Sequence, residues 1–115
     1  MLHYTRKLAK IIEELTMFFF SIEATDISSK IEIENNVATI TFSADYNSKY
    51  ANKFETMTRL LSTPKDEMLE EEYWQLAGSG EDGDTSQLLL IGVMVDSTDI
   101  DIDCEKVRII IKKKI

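Results

Sequence analysis

Apolar positions recur along the chain at spacings that change from helical to alternating and back. Tyr4, Leu8, Ile11, Ile12, Leu15, Phe19 and Ile22 follow a helical period, and Arg6, Lys7, Lys10, Glu13 and Glu14 fall mostly between them. This predicts a helix over residues 4–21. Toward its end, Met17, Phe18, Phe19 and Phe20 point in every direction. The primary expectation is an end buried on all sides; the other is a contact with a second chain. Lys30, Glu32 and Glu34 then alternate with Ile31 and Ile33, and Val37 to Ser43 alternates back. Between them, Asn35-Asn36 suits a two-residue type I′ turn, because asparagine tolerates positive φ. Pairing across that turn sets Ile33 opposite Ala38 and Ile31 opposite Ile40 on one apolar face.

Helical spacing returns at Tyr50, Phe54, Met57 and Leu61, with Asn47 or Ser48 as the N-cap. Thr63-Pro64 predicts a helix stop and a new start, Thr63 capping and Pro64 at the first position. Leu69, Tyr73 and Leu76 form that helix's inner stripe, and Gly78 ends it. Gly78 to Asp84 reads as a loop. Leu88 to Val95 is an apolar run too short for its period to separate helix from strand. Thr85 or Ser86 as a cap favours a short helix. Residues 99–113 alternate again. Ile100, Ile102 and Cys104 share one face; Val107, Ile109 and Ile111 share one face of a returning strand. A turn around Glu105-Lys106, tight or as a four-residue loop since it lacks glycine, sets the aspartates opposite Arg108 and Lys112 in either case. Cys104 then falls on the buried face as a small hydrophobe.

The order is helix, two strands, helices, two strands. It predicts one α+β domain over residues 1–115, a two-layer sandwich of about four antiparallel strands with helices on one face. A length of 115 residues suits one core. The net charge of −8 argues against nucleic acid or an anionic lipid surface as the main partner. No apolar run is long enough to span a membrane. The single cysteine forms no internal disulfide, which fits a reducing cytoplasm.

Candidate chemistry is sparse. Asp99, Asp101 and Asp103 share a strand face, yet the calcium-loop positions that need Gly and Glu hold Cys104 and Ile110. A surface charge ladder is the better reading. His3 is the sole histidine, so a zinc site or a Cys–His pair lacks material. The expectation is no catalytic residue and no metal. Trp74, one position off the helix stripe, and the aromatic pair Phe18 and Phe20 are the candidate protein contacts.

The order of elements resembles the ATP-binding domain of histidine kinases and their anti-sigma relatives, over about residues 10–113. That family carries Glu-x-x-x-Asn on its first helix; here Glu14 matches, and Phe18 stands where the magnesium-holding asparagine belongs. Its Asp-x-Gly-x-Gly aligns with Asp45, without either glycine. Its second glycine box aligns with Gly78, Gly80 and Gly83. The resemblance implies a similar fold with a degenerate ATP site. The segment Tyr73 to Gly78 is also similar to small bacterial proteins of undefined role. Two function classes follow. One is a non-catalytic protein-interaction or regulatory module, acting on another protein or a second copy of itself, with no cofactor. The other is a divergent regulator binding ATP with magnesium through Glu14, Asp45 and the glycine loop.

Overall fold

The computed structural model describes residues 2–68 and 85–115. Helix α1 spans Leu2–Ser21 and is followed by strands β1 (Ile27–Glu34) and β2 (Val37–Asp45). A 3-10 turn, Ser48–Tyr50, leads into helix α2 (Ala51–Leu61). Helix α3 (Thr85–Met94) and strands β3 (Ser97–Asp103) and β4 (Lys106–Lys114) complete the described chain. The expected helix at Leu69, Tyr73 and Leu76, and the glycine loop, lie outside the described residues.

The four strands form one antiparallel sheet in the order β1-β2-β4-β3. Each hairpin contributes an inner and an edge strand, and the two hairpins join through β2 and β4. The α+β class and the sheet of two hairpins are as the alternation predicts. The first hairpin has the expected register, Ile33 opposite Ala38 and Ile31 opposite Ile40. Asn35 and Asn36 take φ of 54° and 63°, as a type I′ turn requires.

The core lies on one face of the inner strands. Ala38, Ile40, Phe42 and Ala44 of β2 and Val107, Ile109 and Ile111 of β4 are buried. They form one cluster with Leu8, Ile11, Leu15, Phe19 and Ile22 from α1 and its end, Phe54, Met57 and Leu61 from α2, and Leu88, Ile91 and Met94 from α3. Phe19 stacks on Phe42 with ring centroids 5.5 Å apart and meets Phe54 at 6.5 Å. The opposite sheet face is exposed or half-buried. Helices α2 and α3 pack closely at Gly92, where a Cβ would lie 2.3 Å from the Leu60 carbonyl oxygen. Glycine is needed there for the approach of two backbones.

Several expectations are corrected. The aromatic end of α1 is one-sided: Phe19 is fully buried and Phe18 packs on the core, whereas Met17 and Phe20 are exposed. A helix whose buried stripe already faces the sheet leaves its other side to solvent. Ile31 and Ile33 share the core face, yet stand 44% and 53% exposed, because the core covers the inner strands and stops short of the β1 edge. Ile102, on the other edge, is 50% exposed. The buried floor is therefore β2 with β4.

The terminal turn also differs. It is Cys104-Glu105, with Cys104 at φ 56° and exposed, not buried. Positive φ at the first turn position alone matches a type II′ turn. The register moves by two residues, which preserves the faces: Asp101 stands opposite Arg108, Asp103 opposite Lys106, and Lys112 opposite Ser97. Finally, Thr63 does not cap a helix. Asp66 accepts a hydrogen bond from the Met68 N–H at 3.0 Å, and Glu67 and Met68 are helical. Aspartate is a strong capping residue, so the start moves three positions on.

Candidate functional site

Helix α1 ends in a Schellman arrangement. The Ala24 N–H donates to the Phe19 carbonyl at 2.9 Å and the Glu23 N–H to the Phe20 carbonyl at 3.0 Å. Glu23 sits at the left-handed position, φ 65°. Its carboxylate accepts a hydrogen bond from the Tyr50 hydroxyl, and Lys49 lies 3.7 Å away. The Tyr50 bond first, and the Lys49 charge second, hold the Glu23 carboxyl below the usual range; the same bond raises the Tyr50 phenol.

The chain then turns into β1 over the carboxylate of Asp45. Its Oδ1 accepts from the backbone N–H groups of Thr25, at 2.9 Å, and Asp26, at 3.0 Å. Its Oδ2 accepts from the Thr25 hydroxyl at 2.9 Å. Desolvation pushes this carboxyl up, but the bonds from Asp26 and Thr25 outweigh it and hold the group below the ordinary aspartate range. Asp45 thus fastens the start of β1 to the end of β2.

Beside Asp45, on the sheet face turned away from the core, lies a hollow of about 410 Å³. Ser28, Ser43, Arg108 and Asp101 cross it as one row, and Asp45, Lys106 and Asp103 as the next. Charges alternate across these rows. Two serines line the hollow, and no histidine does. Its mixture of cations and carboxylates favours no ligand of a single sign.

Glu14 belongs elsewhere. It is buried on α1 and pairs with Lys10 at 2.9 Å. It is not among the residues lining the hollow beside Asp45. Phe18 meets Phe19 edge to face at 5.3 Å, packed on the core. Phe20 is the exposed member of the aromatic pair. Gly78, Gly80, Gly83 and Trp74 lie outside the described residues. Asp99, Asp101 and Asp103 face Ile110, Arg108 and Lys106. Among the described residues, no three His, Cys, Asp or Glu side chains converge in a way that would hold a metal ion. Among the same residues, no helix is long and apolar enough to cross a membrane.

Lys113 has a role that strand alternation alone would have signalled. It continues the inner face of β4 beyond Ile111 and is buried. Its ammonium donates to the Met94 carbonyl at 2.7 Å, at the C-terminal end of α3. A cation there satisfies a terminal carbonyl and complements the helix dipole. Asp96 makes a second tie, accepting from Lys65 at 2.8 Å and from the Lys114 N–H at 2.6 Å.

The remaining feature is the β1 edge. Glu34 and Val37 flank a two-residue turn and therefore exchange hydrogen bonds, as do alternate pairs behind them. The Asp45 N–H bond to the Asp26 carbonyl, 3.1 Å, has the same phase. The N–H and C=O groups of Ser29, Ile31 and Ile33 consequently point outward from the sheet. Comparison of the chain with family models, with curated proteins and with solved structures gives no match.

Proposed function

We propose that this chain is a non-catalytic protein-binding module that works through the β1 edge of its sheet. The observation that carries this reading is the pairing of two free resources on one strand. Outward-pointing backbone groups at Ser29, Ile31 and Ile33 lie beside two isoleucine side chains that the core leaves uncovered. An added strand satisfies the first and covers the second, which is how sheet edges recognise extended polypeptides. Exposed Phe20 and Met17 on α1 extend the apolar surface available to a partner. On the nucleotide side, Asp45 already uses both carboxylate oxygens on Thr25 and Asp26, and Glu14 is paired with Lys10.

Calorimetric titration with ATP and magnesium separates the two classes. The binding-module reading expects no heat beyond dilution. Micromolar affinity that disappears in Asp45→Asn would overturn it in favour of a nucleotide-binding regulator. On the positive side, amide spectra recorded with an extended peptide of alternating isoleucine and charged residues should shift at β1. Shifts centred on the hollow beside Asp45, with β1 unmoved, would also count against it.

A further inference from the structure

We infer that the β1 edge is built to pair with β1 of a second copy of this chain, antiparallel, about a two-fold axis at Ile31. The inference rests on the edge-binding reading above and names its partner. The strand is Ile-Ser-Ser-Lys-Ile-Glu-Ile-Glu, from Ile27 to Glu34. Only Ser29, Ile31 and Ile33, with Ile27, turn their backbone groups outward, so pairing must match these residues with one another. That leaves a few registers, and charge chooses among them.

With Ile31 opposite Ile31, Lys30 stands opposite Glu32 of the second copy, and Glu32 opposite its Lys30. Ser28 meets Glu34 on each side. No like charges oppose. A shift of the axis to Lys30 sets lysine against lysine. A shift to Glu32 sets glutamate against glutamate. A shift to Ile33 sets Glu32 against Glu34. Directly opposed like charges destabilise a strand pair, and opposed unlike charges stabilise it. The register at Ile31 also brings the two Ile31 side chains together and sets each Ile33 beside Ser29. Ser29, Ile31 and Ile33 then make about six backbone hydrogen bonds across the axis. Because the axis runs perpendicular to the sheet, both core faces stay on the same side. The two sheets become one.

The opposite edge shows the contrast. On β3, Thr98, Ile100 and Ile102 turn outward, and the residues between are Asp99, Asp101 and Asp103. An axis at Ile100 opposes Asp99 with Asp101; an axis at Ile102 opposes Asp101 with Asp103. Pairing of β3 with β1 in full overlap opposes Asp99 with Glu32, Asp101 with Lys30 and Asp103 with Ser28, so like and unlike charges cancel there. One edge is thus guarded by a single sign of charge, as edge strands commonly are. The other is self-complementary.

The interface is small, so the association is weak. Sedimentation of the full chain at near-physiological salt should show mass rising toward that of a dimer between about 10 μM and about 1 mM. Lys30→Glu alone and Glu32→Lys alone each create like-charge pairs and should weaken association about tenfold. The double variant Lys30→Glu with Glu32→Lys restores unlike pairs and should restore the dimer. These side chains lie on the exposed sheet face, so the variants keep the fold. Amide exchange at Ser29, Ile31 and Ile33 should slow as concentration rises. A monomer at about 1 mM overturns the inference, as does a dimer that ignores both single reversals. Either outcome leaves the wider binding reading standing, and that reading is tested separately by nucleotide binding at Asp45.

Discussion

Asp45 shows how one side chain decides a local structure. Three donors converge on its carboxylate, all from Thr25 and Asp26, and together with the Asp45 N–H bond to the Asp26 carbonyl they hold this entrance to β1. Asp45→Ala leaves those donors to water and should cost about 1–2 kcal/mol in urea denaturation at neutral pH. The pH dependence has a definite sign. The folded pKa of Asp45 is depressed, so its contribution is present above the ordinary aspartate pKa and is lost as pH falls through the folded value. Asp96 and Glu23 are depressed as well and act in the same direction. Wild-type stability should therefore fall below about pH 4, and the fall should be shallower in Asp45→Ala. An equal slope in both would show that the carboxylate is not held as described. Asp45 was singled out from a glycine-poor motif, but its hydrogen-bond role was not legible there. The partners lie about twenty residues earlier, and only the fold brings them within reach.

At the scale of elements, alternation predicts which face each residue takes but not whether that face is covered. Ile31, Ile33 and Ile102 have the parity of buried residues and stand half-exposed on the two edge strands. Ile109 has the same parity on an inner strand and is fully buried, opposite Phe42 and Ile100. Ile109→Asp should cost several kcal/mol, about 3 or more, as an uncompensated buried charge. Ile102→Asp should cost less than about 1 kcal/mol. Chemical denaturation of the two variants decides the point; equal costs would mean that the sheet has no inner and outer strands in the sense drawn here. The first hairpin was legible because Asn35-Asn36 names its turn. The second was not, because Cys104 accepts positive φ without being a residue that advertises it, and the register moved by two. Gly92 makes a sharper case. Exposed glycine within a helix is ordinarily improved by alanine. Here the new methyl would meet the Leu60 carbonyl at 2.3 Å, so Gly92→Ala should lower stability by about 1–3 kcal/mol through separation of α2 from α3. A raised melting temperature would refute that contact.

For the whole molecule, charge acts at two ranges, and they oppose each other in self-association. Each copy carries a net charge of −8. A compact body with a radius of gyration of 13.4 Å has an outer radius of about 17 Å, so two touching copies have centres about 35 Å apart and an unscreened repulsion in water of about 8 kcal/mol. The Lys30–Glu32 pairs across the proposed axis recover only about 0.2–1 kcal/mol each. Repulsion therefore wins in the absence of salt. At 0.01 M the Debye length of about 30 Å is close to the whole separation, and about 2 kcal/mol persist. At 0.15 M it is about 8 Å, and the long-range term falls to a few tenths of a kcal/mol or less, while groups in contact are screened less. Added salt should thus strengthen the dimer, although the contacts that choose its register are themselves ionic. Sedimentation at 0.01 and 0.15 M salt reads this directly: the wild type should associate more at the higher concentration, and the charge-swapped double variant, whose net charge is the same, should follow it. Association that weakens steadily with salt would mean that opposite charges dominate the interface, and the axis at Ile31, with its two ionic pairs among isoleucines and serines, would be the wrong one.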